Sequence, residues 1–157
     1  MKEVHKNLFV GSQSDYESNP KMFDDWYVVH ACKEPYHRRA LGYTGRSAPN
    51  NSPHYLFLYD EKNHLILNMV DADSPEFFRN EMINEALLYV MEGLANGKRV
   101  LIHCNQGESR APSLAILVLR KMDVFKGTFS ESVILFRNIY PNYNPKSGIY
   151  NYVRVNW

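Results

Sequence analysis

The sequence predicts an α/β fold, a central, mostly parallel, twisted sheet flanked by helices. Three observations predict it. Short β-branched or aromatic runs alternate with longer runs whose apolar residues recur at helical spacing, the pattern of strands joined by crossover helices. Arg99, Val100, Leu101 and Ile102 form a short aliphatic run of the kind that makes a buried parallel strand, and an apolar helix pattern follows it across one tight polar loop. No internal repeat or low-complexity linker breaks the chain, so its 157 residues make a single domain, residues 1–157, long enough for one substantial core.

The elements follow in order. Leu8, Phe9 and Val10, before Gly11 and Ser12, read as the first strand, and residues 26–32, from Trp26 to Cys32, as the second. Residues 34–54 form a long polar segment that reads as a loop. Residues 55–59 and 65–70 pair as a hairpin about the turn formed by Asp60, Glu61, Lys62 and Asn63. Ser74, Pro75 and Glu76 read as a helix start capped by Ser74. Ile83, Leu87, Val90 or Met91, and Leu94 then recur at helical spacing until Gly97 stops the run. Pro112 suits the first turn of the next helix, which carries Leu114, Ala115, Ile116, Leu117, Val118 and Leu119. Thr128 and Glu131 form a capping-box pair for a helix through Val133, Phe136 and Tyr140, ended by Pro141, and residues 149–157 make the last helix.

Composition narrows the function. Eighteen basic and seventeen acidic residues leave a net charge of +1, so no nucleic-acid or membrane-surface partner is expected. No run of eighteen apolar residues exists, and the first residues lack the apolar core of a signal peptide. A cytoplasmic monomer is the expectation. Cys32 and Cys104 are too few for a disulfide framework and lie in no metal-ligand spacing. The six histidines have no recurring spacing either, so neither a metal site nor a cofactor is expected.

The chemistry concentrates in His103, Cys104, Asn105, Gln106, Gly107, Glu108, Ser109, Arg110, Ala111 and Pro112. Strand, tight loop and helix N-terminus follow one another directly there. Unpaired backbone N–H groups and the positive end of a helix dipole therefore surround one small volume, which favours a bound oxyanion. A cysteine in that field ionises readily, making Cys104 a nucleophile, and the planar fork of Arg110 can grip two phosphate oxygens. Asn105, Gln106, Gly107, Glu108 and Ser109 supply the N–H cradle, where Gly107 accepts a backbone conformation that a side chain resists. His103 supports the thiolate's surroundings through the backbone.

His-Cys-x5-Arg with Gly107 three residues after the cysteine resembles the signature loop of the protein tyrosine phosphatase superfamily, and the flanks are most similar to its dual-specificity branch. The resemblance runs from about Leu8 onward, including Pro141, Asn142, Tyr143 and Asn144, and implies the same fold. It implies hydrolysis of phosphotyrosine, phosphoserine or phosphothreonine in proteins through a phosphocysteine. The same chemistry on an RNA 5′ phosphate, a phosphoinositide or an inositol phosphate is the alternative, and a phospho-binding module without turnover is the third reading. The implied general acid is an aspartate about thirty residues before the cysteine. Asp71, at the end of an apolar strand and thirty-three residues before Cys104, is the first choice and Asp73 the second. Relatives with a cysteine in the region of Cys32 imply a redox partner for Cys104, beside the plainer reading of a core thiol. Lys33, His37, Arg38 and Arg39, with Arg46, are candidate substrate-binding residues if the second strand opens on the same crevice, beside the plainer reading of a solvated face. Glu108 disfavours a polyanion. Ala111 departs from the family, which has Ser or Thr after the arginine to stabilise the leaving thiolate, and Ser109 or Ser113 is the candidate compensating hydroxyl.

Overall fold

A computed structural model describes residues 1–19 and 22–157. Its strands are β1 (Lys2–His5), β2 (Leu8–Ser12), β3 (Tyr27–His30), β4 (Phe57–Tyr59), β5 (Leu65–Leu67) and β6 (Val100–Cys104). They form one sheet in the order β1-β2-β6-β3-β5-β4. The four inner strands β2, β6, β3 and β5 run parallel, and β1 and β4 close the edges antiparallel. β6 is buried at every position, as its aliphatic sequence requires of a strand covered on both faces.

Alternation along β6 sorts its side chains. Val100, Ile102 and Cys104 join the main apolar core, with Val29 of β3 and Val10 of β2, whereas Leu101 and His103 point to the other face. The core face is covered by α4 (Asn80–Ala95) and α5 (Arg110–Lys121), the latter buried from Arg110 through Leu119. α6 (Phe129–Ile139) packs on α5, and α7 (Ser147–Val155) packs on α5 and on a single 3-10 turn, Pro75–Phe77. On the other face, α1 (Gln13–Glu17) meets β2 and β6. Tyr16 of α1 stacks on His103 there, with ring centroids 4.9 Å apart, and Phe9 meets Trp26. Short helices α2 (Met22–Asp25) and α3 (Arg38–Leu41) complete the chain.

Most sequence expectations find their element. The hairpin forms over Phe57–Tyr59 and Leu65–Leu67, shorter than the expected 55–59 and 65–70, so that Asp71 lies four residues past the strand end; Asp60 at its turn accepts from the backbone N–H groups of Lys62 and His64. Thr128 and Glu131 make the reciprocal capping box. Two expectations need correction. Ser74 makes no side-chain cap; its helix is only the 3-10 turn, because the chain turns extended at Phe78 and Arg79 to bury Phe78, and α4 starts afresh at Asn80. Residues 34–54 are not wholly loop, since Lys33–His37 and α3 are helical, ended by the left-handed Gly42. β1 and the Ser12–Asp15 capping box of α1 have no counterpart in the sequence reading.

The fold places one close contact beside the segment carrying Asp71. Gly148, in the first turn of α7, leaves no space for a Cβ, which would overlap the Ala72 carbonyl. Ser147 Oγ donates to the Asp73 carbonyl at 3.0 Å in the same place. Gly148→Ala is therefore expected to cost about 1–3 kcal/mol by overpacking, outweighing the better helix propensity of alanine. Urea unfolding checks this, and an unchanged or raised midpoint would show that α7 shifts freely.

Candidate active site

Parallel pairing delivers the site. Ser12 of β2 lies opposite Cys104 in register, and His30 of β3 opposite His103. Hydrogen bonds then carry the pairing past the strand ends, Ala31 N–H donating to the His103 carbonyl at 2.8 Å and Gln13 N–H to the Asn105 carbonyl at 3.2 Å. Cys104, the last residue of β6, is only 2% exposed and sits at the floor of a cavity of about 420 Å³. The cavity is lined by Asp71, Asn105, Gln106, Glu108, Ser109, Arg110, Asn144 and Lys146 as well.

The loop from Asn105 to Ser109 is shaped by close backbone approach. Gly107 has φ +76°, and a Cβ there would strike the carbonyl of Gly11. Tyr140 Oη donates to the Gly107 carbonyl at 2.7 Å from a buried position. Ser109, at the N-cap of α5, makes no side-chain cap, so the helix's first-turn amides and its positive dipole end are left for the cavity. Ser109 Oγ instead donates to Asp71 Oδ1 at 2.8 Å and accepts from Lys146 N–H at 3.0 Å.

Arg110 is 8% exposed, and a buried guanidinium must be paired. Nη1 donates to the Met69 carbonyl at 2.9 Å and Nη2 to Asn105 Oδ1 at 2.7 Å. Its Nε is buried without a partner among the described residues, an unsatisfied charged donor beside the Cys104 cavity. Arg110, Lys146, Asp71 and Glu108 all line that cavity, so groups of both signs border it.

Of the two acid candidates, Asp71 lines the cavity, while Asp73 is exposed outside it. His103 is fully buried, and burial pushes its imidazole down to about 4, against a smaller opposing pull from the Cys104 backbone. It is therefore neutral near pH 7. Burial also holds His30 well below the usual histidine range. His30 Nδ1 lies 2.7 Å from His103 Nε2, so one ring donates to the other. Cys32 is fully buried at the end of β3, close enough to sense Arg110 and Cys104, and burial pushes its thiol up to about 12.

Of the basic segment, none of Lys33, His37, Arg38 and Arg39 lines the Cys104 cavity. His37 is fully buried, within 3.0 Å of Tyr43 Oη and 2.9 Å of the His54 carbonyl. Arg38 is spent on Glu34, at 2.8 Å, and on the Tyr43 and Gly45 carbonyls. Lys33 Nζ donates to the Arg46 carbonyl at 2.5 Å and borders a neighbouring cleft rather than the Cys104 cavity. Arg39 is exposed and lines neither cavity. Local contacts hold Lys33, His37 and Arg38 in place, which a count of basic residues cannot register. Neither serine offered as a compensating hydroxyl is directed to sulfur, since Ser109 serves Asp71 and Ser113 Oγ lies 3.3 Å from Tyr143 Oη.

Four residues with a part in the site were not singled out from sequence. Asn144 and Lys146 enter the cavity from the chain after α6, Asn144 N–H donating to the Glu108 carbonyl at 2.8 Å. Gln13 Oε1 accepts from Asn105 Nδ2, and Tyr140 holds Gly107. Only the resemblance of residues 141–144 hinted at any of them.

This architecture is that of dual-specificity phosphatase folds. Human DUSP28 is similar over 98% of this chain and 89% of its own, with TM-score 0.69 and 12% identity. DUSP15 is similar over 99% and 85%, with TM-score 0.68 and 16% identity. The Cydia pomonella PTP-2 phosphatase covers 98% and 88%, with TM-score 0.68 and 17% identity. No protein-family model matches the sequence. Among the described residues no helix is long and apolar enough to cross a membrane.

The hydroxyl of Tyr140 gives a direct test of how the loop is held. Tyr140→Phe leaves the buried Gly107 carbonyl unpaired, at an expected cost of about 1–3 kcal/mol. Thermal unfolding should register that loss, and amide hydrogen exchange should quicken in residues 105–109 more than in β6.

Proposed function

We propose that this protein hydrolyses phosphomonoesters through a phosphocysteine, with phosphotyrosine, phosphoserine or phosphothreonine in proteins as substrate. The observation that carries the reading is the buried, unpartnered Nε of Arg110 beside Cys104 at the N-terminus of α5. The likeness to dual-specificity phosphatase folds supports it.

In the first step the Cys104 sulfur attacks phosphorus in line as the ester P–O bond breaks, and the departing oxygen takes a proton from Asp71. Arg110 and the α5 amides hold the equatorial oxygens, whose charge they stabilise. In the second step Asp71 takes a proton from water, water oxygen bonds to phosphorus, and the thiolate leaves. Ser109 holds one oxygen of Asp71, leaving the other for the proton. Glu108 on the cavity lining favours a single phosphoryl group over a polyanion. Cys32 is fully buried, which supports the reading of a core thiol; a redox pairing with Cys104 rests on the resemblance alone.

Cys104→Ser is expected to abolish turnover of para-nitrophenyl phosphate while still binding phosphate esters, and Arg110→Ala to lower kcat about 10²–10³-fold and weaken binding. Asp71→Asn should slow alkyl phosphates about 10²–10⁴-fold yet spare aryl esters with very acidic leaving groups, and Asp73→Asn should not. Full activity of Cys104→Ser in a phosphopeptide assay would sink the reading.

Ala111 is fully buried and offers the departing thiolate no hydrogen bond. A charge-assisted bond of about 1.5 kcal/mol corresponds to about tenfold in rate. Breakdown of the phosphocysteine should therefore limit turnover of good leaving groups, giving a burst in stopped flow. Ala111→Ser is expected to raise the steady rate and shrink that burst. No burst, with an unchanged rate in Ala111→Ser, would assign the slow step elsewhere.

A further inference from the structure

Behind the catalytic loop, on the sheet face away from α4 and α5, lies a second cluster of chemistry-bearing side chains. His30 ends β3 and is 2% exposed; His64 stands just before β5 and is 1% exposed; Asp60 belongs to the β4–β5 turn. One ligand atom from each lies within 4.8 Å of the other two. His30 Nδ1 is committed to His103 at 2.7 Å, so Nε2 is the nitrogen it can offer. Asp60 is oriented in advance. Its Oδ1 accepts from the N–H groups of Lys62 and His64 at 2.9 and 2.8 Å, and its Oδ2 lies 3.6 Å from His64 Nδ1.

We infer that His30, His64 and Asp60 form a binding site for one divalent transition-metal ion, zinc foremost. Two imidazoles and a carboxylate are the donor set that zinc takes at three protein positions, with water in the fourth, and magnesium or calcium would demand more oxygens. Zinc bonds of about 2.0–2.1 Å place tetrahedral ligand atoms roughly 3.4 Å apart. Asp60 Oδ2 and His64 Nδ1 are already 3.6 Å apart, and the three ligand atoms lie within 4.8 Å of one another, so the shortfall is at most about 1.4 Å and is taken up by the turn that carries Asp60 and His64. The Asp60 side chain is 27% exposed and also gives the ion its way in.

The site would be wired to the loop. An ion on His30 Nε2 confines that ring's proton to Nδ1, where it is donated to His103 Nε2, in the manner of a partner that fixes a ligand's tautomer. His103 must then carry its own proton on Nδ1, one residue before Cys104. Metal occupancy thus selects one of two hydrogen-bond polarities beneath the nucleophile.

Cobalt(II) titration of the full chain carrying Cys104→Ser, which removes the thiol in the cavity as a rival ligand, tests this without reference to catalysis. Failure there is separate from failure of the phosphatase reading. The expected result is one ion per chain with visible bands of nitrogen and oxygen coordination, displaced by zinc and not by magnesium. Zinc at about a hundred times its Kd should raise Tm by roughly 5–10 °C. Asp60→Asn, whose amide oxygen can still accept the turn's two N–H bonds, should weaken binding at least about tenfold with an unchanged circular dichroism spectrum, as should His64→Ala if it folds. Absence of the bands, a sulfur charge-transfer band from Cys32, or full binding by Asp60→Asn would each overturn the assignment.

Discussion

The site depends on the pairing of β6 between β2 and β3. Side chains on both faces of β6 are buried, so its register cannot slip without exposing aliphatic surface or burying polar groups. That register sets Cys104 level with Ser12 and His103 level with His30, and backbone bonds from Gln13 and Ala31 extend the constraint past the last paired residue. The loop that follows is short, and its ends are a fixed strand and a buried helix. Little freedom remains for the atoms between them.

Arg110 converts this fixed frame into a site. Its two terminal nitrogens bind the Met69 carbonyl and Asn105 Oδ1, joining the segment that carries Asp71 to the loop that follows Cys104. A buried guanidinium left short of partners would be costly, and only its Nε remains without one among the described residues. Asp71 is tied to the same frame through Ser109, and Ser109 in turn to Lys146. The C-terminal third of the chain therefore acts as a brace, with Tyr140, Asn144, Lys146 and Ser147 each bonding a backbone or side chain of the site.

The two faces of the sheet have different chemistry. One is aliphatic and packs under α4 and α5. The other places Tyr16 and Tyr36 against His30 and His103, with ring centroids 4.3–5.2 Å apart, so that polar rings fill space that leucine fills opposite. His103 connects this second face to Cys104 through a single peptide unit.

Residues close in sequence settled what sequence could settle. The strand–loop–helix unit around Cys104, the hairpin turned at Asp60 and the Thr128–Glu131 capping box rest on contacts within a few positions, so their residue types already contain them. Asp71, preferred over Asp73 for a strand end that in fact falls at Leu67, is the one that lines the cavity. Ser74 failed as a cap because burial of Phe78 breaks the helix there, a gain that only the packed core supplies. Lys33 and Arg38 stood out because charge is visible in sequence, whereas the Arg46, Tyr43 and Gly45 carbonyls that they bond are placed by the fold. Asn144 and Lys146 stand about forty residues from Cys104, and His30, Asp60 and His64 are spread over thirty-four positions. Their meeting is a consequence of strand order and register, long-range terms that no local spacing encodes.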